Sequence, residues 1–326
     1  MSCSITEESF SSLTSCYGDT RDQLVWDPLF VLPGWMQVWW REFDPGTQLQ
    51  ILAVRQDKKV LGIAPLQVKD NTASMIGSID VTDYVDFVVS PGNEDTFFAA
   101  LLDHLAEKGI ARLDLGPLRP ESTVLKHLVN VARGRGAAVS CELEDVSVEV
   151  SLSSTWEGYL AALSKKQRHE VRRKLHRLHE AGEVGYRTLS EGSSIRDAMN
   201  VFLKMFTESR NDKEAYLTSP REAFFRSIAA TMAEWGLARI GVLDFNAQPV
   251  AMVLFFAYNS TIYLYNSGYD PDYRSLSVGL MSKVFCIRDS IEKGYATFDF
   301  LKGNEDYKSR LGGREVPLHR CQIAIK

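Results

Sequence analysis

Residues 294–313 read GYATFDFLKGNEDYKSRLGG, and the first half of this stretch repeats an earlier one. Residues 107–115 are EKGIARLDL, and residues 292–300 are EKGYATFDF, 185 positions later throughout. Each copy follows an amphipathic run that fits a helix. In both, the glycine closes that helix, and an aspartate, Asp114 or Asp299, lies inside the apolar strand that follows. A repeat at this spacing is too long for a solenoid and predicts two copies of one domain fold. After the shared part the copies diverge. The first runs into Gly116-Pro117; the second runs into Lys302-Gly303, then Tyr307-Lys308 and a Gly312-Gly313 end. A carboxylate inside an apolar strand is costly unless paired, and Lys302 and Lys308 are close enough in sequence to be partners of Asp299. The shared aspartate reads first as a fold feature, and the unshared lysines and tyrosine are the better candidates for chemistry.

The length of 326 residues predicts two domains with a core each, placed at 1–150 and 151–326. A net charge of −5 argues against a general nucleic-acid binder, and no DNA partner is expected. Cys3, Cys16, Cys141, Cys286 and Cys321 form no CxxC pair and no metal-ligand spacing. An odd, scattered set of this kind predicts reduced thiols in a cytoplasm, and no metal site. The opening MSCSITEESF lacks the basic region of a secretory signal. The most apolar window, residues 24–40, is interrupted by Asp27, Pro28 and Pro33 and is too short to span a membrane.

Along the chain, residues 1–22 are polar and read as loosely attached. Pro33 opens a helix over 34–43 in which Trp35, Trp39 and Trp40 form an aromatic face, either core packing or a ligand platform. Residues 49–55 and 60–68 read as a hairpin, and 73–79 and 84–90 as further strands. Asp80, Asp83 and Asp86 stand in a loop that could grip an amine or a metal, or simply be acidic. A helix over 97–108, a strand over 112–115 and a helix over 122–132 complete the first half. A boundary falls at 151–155. Residues 164–180, SKKQRHEVRRKLHRLHE, hold seven Lys or Arg and three His against two Glu. Ser164 fits an N-cap, and Val171, Leu175 and Leu178 make a narrow apolar stripe. The outward basic faces, with Arg168 among them, read as a contact for phosphate on a nucleotide-bearing substrate or a tRNA end, or as a solvated surface. Then follow a strand over 184–189, helices over 195–210 and 221–236, strands over 238–245, 250–258 and 261–265, a helix over 278–292, the repeated strand, and a last strand over 316–325. That order is mixed α/β with an antiparallel meander before a crossover helix.

Arg274 and Ser277 precede the crossover helix, and Val278 and Gly279 open its first turn. Unpaired N–H groups and the helix dipole make such a start an anion site. Glycine there would let a phosphate approach the backbone, and Arg274 would add charge-assisted hydrogen bonds.

This element order resembles the GCN5-related N-acetyltransferase (GNAT) fold, and two such domains in tandem resemble the FemAB-like transferases. The BioF2-like/CelD-BcsL-like acetyltransferase group is similar in PGWMQVWWREF, VLGIAPL, LSKKQRHEVRRKLHRLHEAG, SLSVG and DFLKGNEDYKSRLGG, across roughly residues 25–320. The resemblance implies an enzyme that moves an acyl group from a carrier to an amine or hydroxyl, without a metal or a covalent enzyme intermediate. GNAT enzymes use acyl-CoA, acetyl-CoA among them, and hold its pyrophosphate at the crossover-helix start. FemAB-like enzymes use aminoacyl-tRNA. Where the usual GNAT phosphate loop has several glycines, this chain has Arg274 and Gly279. The implied acceptor is a small molecule, a sugar nucleotide or an envelope or polysaccharide precursor. A non-catalytic binding module in polysaccharide assembly is the remaining alternative.

Direct acyl transfer needs a base for the nucleophile and fixed donors for the oxyanion. Asp299 is the candidate base or the partner of a lysine. Lys308, Lys302 or meander N–H groups are candidate oxyanion donors, and Tyr307 could protonate the leaving group. Arg168, Lys302 and Gly303 are the candidate substrate contacts.

Overall fold

The computed structural model describes residues 3–78, 80–209 and 211–325. The ends of two expected elements, the strand 73–79 at Ile79 and the helix 195–210 at Arg210, lie outside the described residues. The chain divides into two compact units, Met1–Val146 with Val316–Lys326, and Ser147–Glu315.

The first unit holds β1 (Cys3–Glu8), α1 (Phe10–Thr20), α2 (Pro33–Phe43), β2 (Gln48–Gln56), β3 (Lys59–Lys69), β4 (Thr72–Met75), β5 (Val88–Val89), α3 (Glu94–Glu107), β6 (Arg112–Leu118), α4 (Val129–Gly134) and most of β7 (Val139–Ser151). Residues 1–22 were expected to be loose, but from Cys3 onward they are built in. β1 pairs with β2 from Cys3 opposite Gln56 to Glu8 opposite Ile51, and α1 buries Leu13 and Cys16. Trp35 and Trp39 are buried, which settles that face as core. On α3, Phe97, Phe98, Leu101, Leu102 and Leu105 follow the helical period and pack under the sheet. Each such side chain contributes about 1.5–3 kcal/mol on burial. Asp86 is buried and accepts from the backbone N–H (2.7 Å) and hydroxyl (2.7 Å) of Thr123. Its carboxyl is pushed up to about 6 by burial, and it holds a helix start rather than a ligand.

The second unit holds α5 (Trp156–Ala162), α6 (Lys165–Ala181), β8 (Val184–Leu189), α7 (Gly192–Glu208), α8 (Asn211–Tyr216), α9 (Ser219–Glu234), β9 (Ala238–Phe245), β10 (Gln248–Tyr258), β11 (Thr261–Tyr269), α10 (Val278–Glu292), β12 (Thr297–Lys302) and α11 (Asp306–Arg310), and the chain ends in β13 (Arg314–Ala324). β10 is buried from Val250 to Tyr258, the continuous apolar run of a strand covered on both faces. Ser164 caps α6 in a reciprocal pair with Gln167.

The two units share one plan. Strands run β1-β2-β3-β4-β6-β13 in the first and β8-β9-β10-β11-β12-β7 in the second. In each, two successive hairpins turn on a residue pair at positive φ: Asp57-Lys58 and Asp70-Asn71, then Asn246-Ala247 and Asn259-Ser260. Such pairs give the tight turn whose twist matches the flanking strands. β4 and β6 pair in parallel with Asp114 opposite Ser74; β11 and β12 pair in parallel with Asp299 opposite Tyr263. Gly109 and Gly294 stand at φ 75 and 77 just after their helices. The repeat read in the sequence is thus a repeat of register.

The sixth place in each row departs from the expected 1–150 and 151–326. β13, the last strand of the chain, pairs with β6 of the first unit, while the end of β7 pairs with β12 of the second. The division falls after Val146, and residues from Val316 onward return to the first unit. The expectation of five reduced thiols also fails at two positions. Cys141 on β7 and Cys321 on β13 form a disulfide across 180 residues of sequence, with Cys3, Cys16 and Cys286 free. The Ala324 N–H donates to the Ala138 carbonyl at 2.9 Å, which brings the two strands side by side. The cytoplasmic expectation rested on unpaired thiols and loses that support. Among the described residues, no helix is long and apolar enough to cross a membrane.

Candidate active site

The site begins where two strands part. β12 follows β11 in parallel only across Thr261–Tyr263. Beyond that point β12 kinks: Leu301 stands at φ 64, and its N–H donates to Asp299 Oδ1 at 2.7 Å. The ladder between β12 and β7 breaks over the same residues. β11 also carries an irregularity opposite Leu254 and Phe255, at Tyr265. The end of β11, with Ser267 and Tyr269, then borders a cavity of about 230 Å³.

The other walls come from Lys213 on α8, Arg274 in the helical turn Pro271–Leu276, the first turn of α10 from Ser277 to Leu280, Lys283 one turn further on, and Tyr307 on α11. Among the described residues, three cations line this cavity and no carboxylate does. Ser277 takes the left-handed conformation (φ 59) at the helix start and makes no capping bond to α10; its hydroxyl instead accepts from Lys174 Nζ at 2.7 Å. Gly279 is required by packing, since a Cβ there would lie 2.6 Å from Tyr269 Cδ1. Gly268 is required likewise, because a Cβ would lie 2.3 Å from the Phe206 nitrogen of α7. These two glycines let β11, α7 and α10 close around the cavity.

Lys283 Nζ donates to Ser267 Oγ at 2.8 Å and to the Gly279 carbonyl at 2.9 Å, and lies 4.9 Å from the centroid of the Tyr307 ring. Burial, and then the nearby charge of Lys213, bring its amine down to about 7. Lys213 Nζ donates to the Ser267 carbonyl at 2.5 Å and sits over the Phe206 ring.

Of the residues singled out from sequence, Arg274, Ser277, Val278, Gly279 and Tyr307 come together around this cavity. Lys308 does not join them. It is 2% exposed, and its ammonium donates to the carbonyls of Leu301 (2.9 Å), Lys302 (2.6 Å) and Gly303 (2.9 Å) and pairs with Glu305 at 2.9 Å. An ammonium has three N–H groups, so these acceptors occupy it; the expected pairing with Asp299 or an oxyanion gives way to a brace for the kinked loop. Asp299 is 1% exposed and fixes the kink through Leu301, away from the cavity lining. Lys302 and Gly303 contribute carbonyls to the brace. Asp114 differs again: it binds Arg320 through two hydrogen bonds at 2.7 and 2.8 Å. Arg168 is turned to the end of α5, donating to the Leu160 and Ala161 carbonyls at 3.3 Å. The Gly312-Gly313 end is steric, since a Cβ on either would lie about 2.5 Å from Leu163 or Val148.

Lys213, Ser267, Tyr269 and Lys283 were not foreseen. Lys283 had a sequence signal: it interrupts VGLMSKVFCI, an apolar helical run in which a lysine has no obvious reason to be.

Residues 165–309, somewhat under half of the chain, match the family model described as the acetyltransferase (GNAT) domain. No curated protein sequence matches the chain. Among solved structures, FemX is similar over 98% of this chain and 96% of its own, at 11% identity and TM-score 0.66. The C-terminal domain of a proposed lysylphosphatidylglycerol synthetase from Agrobacterium fabrum is similar over 97% and 92%, at 12% identity and TM-score 0.61. L-PGS from Bacillus licheniformis is similar over 89% and 91%, at 11% identity and TM-score 0.56. At these identities the likeness is one of fold. The GNAT match lies on the unit that holds the cavity, so that unit carries a GNAT acetyltransferase domain, within a two-unit fold like that of FemX.

Proposed function

We propose that the second unit transfers an acyl group from acyl-CoA, with acetyl-CoA the simplest case, to an amine or hydroxyl acceptor. The observation that carries this reading is the cavity wall, where Lys213, Arg274 and Lys283 stand together beside the first turn of α10. Anionic phosphates would be met by Arg274 and by the N–H groups of that turn. The acyl carbonyl would lie along the edge of β11 that β12 has left, where backbone N–H groups are candidate oxyanion donors in place of Lys308. Tyr307, on the same cavity wall, would donate a hydrogen bond to the leaving group. The acceptor class is a small molecule, a sugar nucleotide or a polysaccharide or envelope precursor.

The test is calorimetric titration with CoA and acetyl-CoA. Arg274→Ala should weaken binding by about 1–3 kcal/mol, the worth of a charged hydrogen bond. Unchanged affinity in that variant would count against the phosphate placement. A second reading, transfer from aminoacyl-tRNA, is favoured by α6. Lys165, Lys166, Arg172, Arg173 and Arg177 are all exposed there, behind the buried Val171 and Leu178. Salt-sensitive binding of charged tRNA, with none of CoA, would select it.

A further inference from the structure

Lys283 is 7% exposed on a helix whose neighbouring buried positions are Met281, Val284 and Ile287. Its two hydrogen-bond partners, the Ser267 hydroxyl and the Gly279 carbonyl, are both neutral. Lys308, also buried, has a carboxylate and three carbonyls around it. Lys283 meets cations instead, Lys213 from α8 and Lys308 from α11, with the Glu305 charge opposing them, and Arg274 borders the same cavity. The nearby Cys286 thiol, pushed up to about 12 by burial, supplies no charge at neutral pH. An ammonium without a close counter-ion is costly to bury, and a methionine would pack as well. Stability does not explain this side chain, whereas a position on a reaction cavity does. The two neutral partners fix Nζ and leave its fourth tetrahedral direction for a proton or a lone pair.

We propose that Lys283 is a catalytic proton acceptor: as an amine or hydroxyl in the cavity attacks the acyl carbon of the donor, its proton passes to Lys283 Nζ. This rests on the acyl-CoA reading above. For a neutral amine the new C–N bond forms as the amine proton moves to Nζ. The C–S bond then breaks with its electron pair going to sulfur, and the Lys283 ammonium returns that proton to the thiolate. Amide and thiol leave, and the lysine is again the free base. An amine brought down to about 7 is divided between its two forms at neutral pH, which suits a group that must both take and give a proton.

Two measurements on the full chain test this. Trace labelling with acetic anhydride across pH 5.5–10, read by mass spectrometry, should label Lys283 along a curve with its midpoint near pH 7. A midpoint above pH 8.5, or no labelling of Lys283 at any pH, overturns the proposal. Thiol release from acetyl-CoA with a panel of primary amines should fall at least ~100-fold in Lys283→Met. Lys283→Arg should not restore it, because arginine stays protonated, while calorimetric CoA affinity in Lys283→Arg, which keeps the positive charge, stays within about threefold. Near-normal release in Lys283→Arg overturns the proposal. If the unsubstituted chain fails to bind CoA, the donor reading is what fails, and the labelling midpoint still decides for or against Lys283.

Discussion

Replacing Lys283 by methionine should stabilise the protein at mildly acidic pH and lose that effect at alkaline pH. The amine titrates at about 7 in place of 10.5, chiefly because burial disfavours its charged form and secondarily because Lys213 is near. At about 1.36 kcal/mol per pH unit, the charged form carries a penalty on the order of 5 kcal/mol. Because the folded value lies below the unfolded one, this penalty is complete below about pH 7, where both states are protonated. It fades as pH rises towards 10.5, where neither is. Methionine removes the charge and forfeits two hydrogen bonds, to Ser267 and Gly279, of about 1 kcal/mol each. The net gain at pH 6 is about 2–3 kcal/mol. At pH 9.5 only about 1.4 kcal/mol of penalty remains, so the substitution becomes neutral or slightly destabilising. Urea unfolding of both full-length proteins, followed by circular dichroism at pH 6.0, 7.5 and 9.5, reads this as a shift in midpoint at equal slope. A variant less stable than the parent at pH 6, or a difference that does not change with pH, refutes the picture of an uncompensated buried ammonium.

Lys308→Met should behave oppositely, destabilising by about 3–5 kcal/mol, because it strips three carbonyls and the half-exposed Glu305 of a buried, charged donor; a near-unchanged melting temperature would show that Lys308 does not brace the loop. Gly279→Ala should force the Tyr269 ring from its place, given the 2.6 Å approach of the new Cβ. The expected readout is CoA affinity weakened at least ~10-fold, and unaltered affinity counts against this cavity as the donor site. Cys141→Ser removes a cross-link closing a 180-residue loop and should lower stability by about 2–4 kcal/mol; a thiol count of five in the unfolded, unreduced parent would show the bond to be absent.

What the sequence determined by itself was local and periodic. EKG followed by an aspartate-bearing strand, twice at one spacing, specified two like halves. The structure carries that repeat into matching parallel pairs at Asp114 and Asp299. The start of α10 was readable because a helix start is a matter of a few adjacent residues, and Arg274, Ser277, Val278, Gly279 and Tyr307 do meet around one cavity. The tertiary structure decided whatever depends on residues far apart in the chain. β13 completes the first unit and the end of β7 the second, so a cut drawn by sequence order misplaces the last strand. Cys141 finds Cys321 across 180 residues, a separation at which spacing carries no signal. Lys283 and Lys308 look alike on paper; burial and partners set them apart, one among neutral groups at a cavity and the other within a shell of carbonyls and Glu305. Neighbouring residues share a helix or strand through backbone geometry, which a short pattern encodes. The dielectric and hydrogen-bond surroundings of a buried charge come from side chains that only the folded chain brings together.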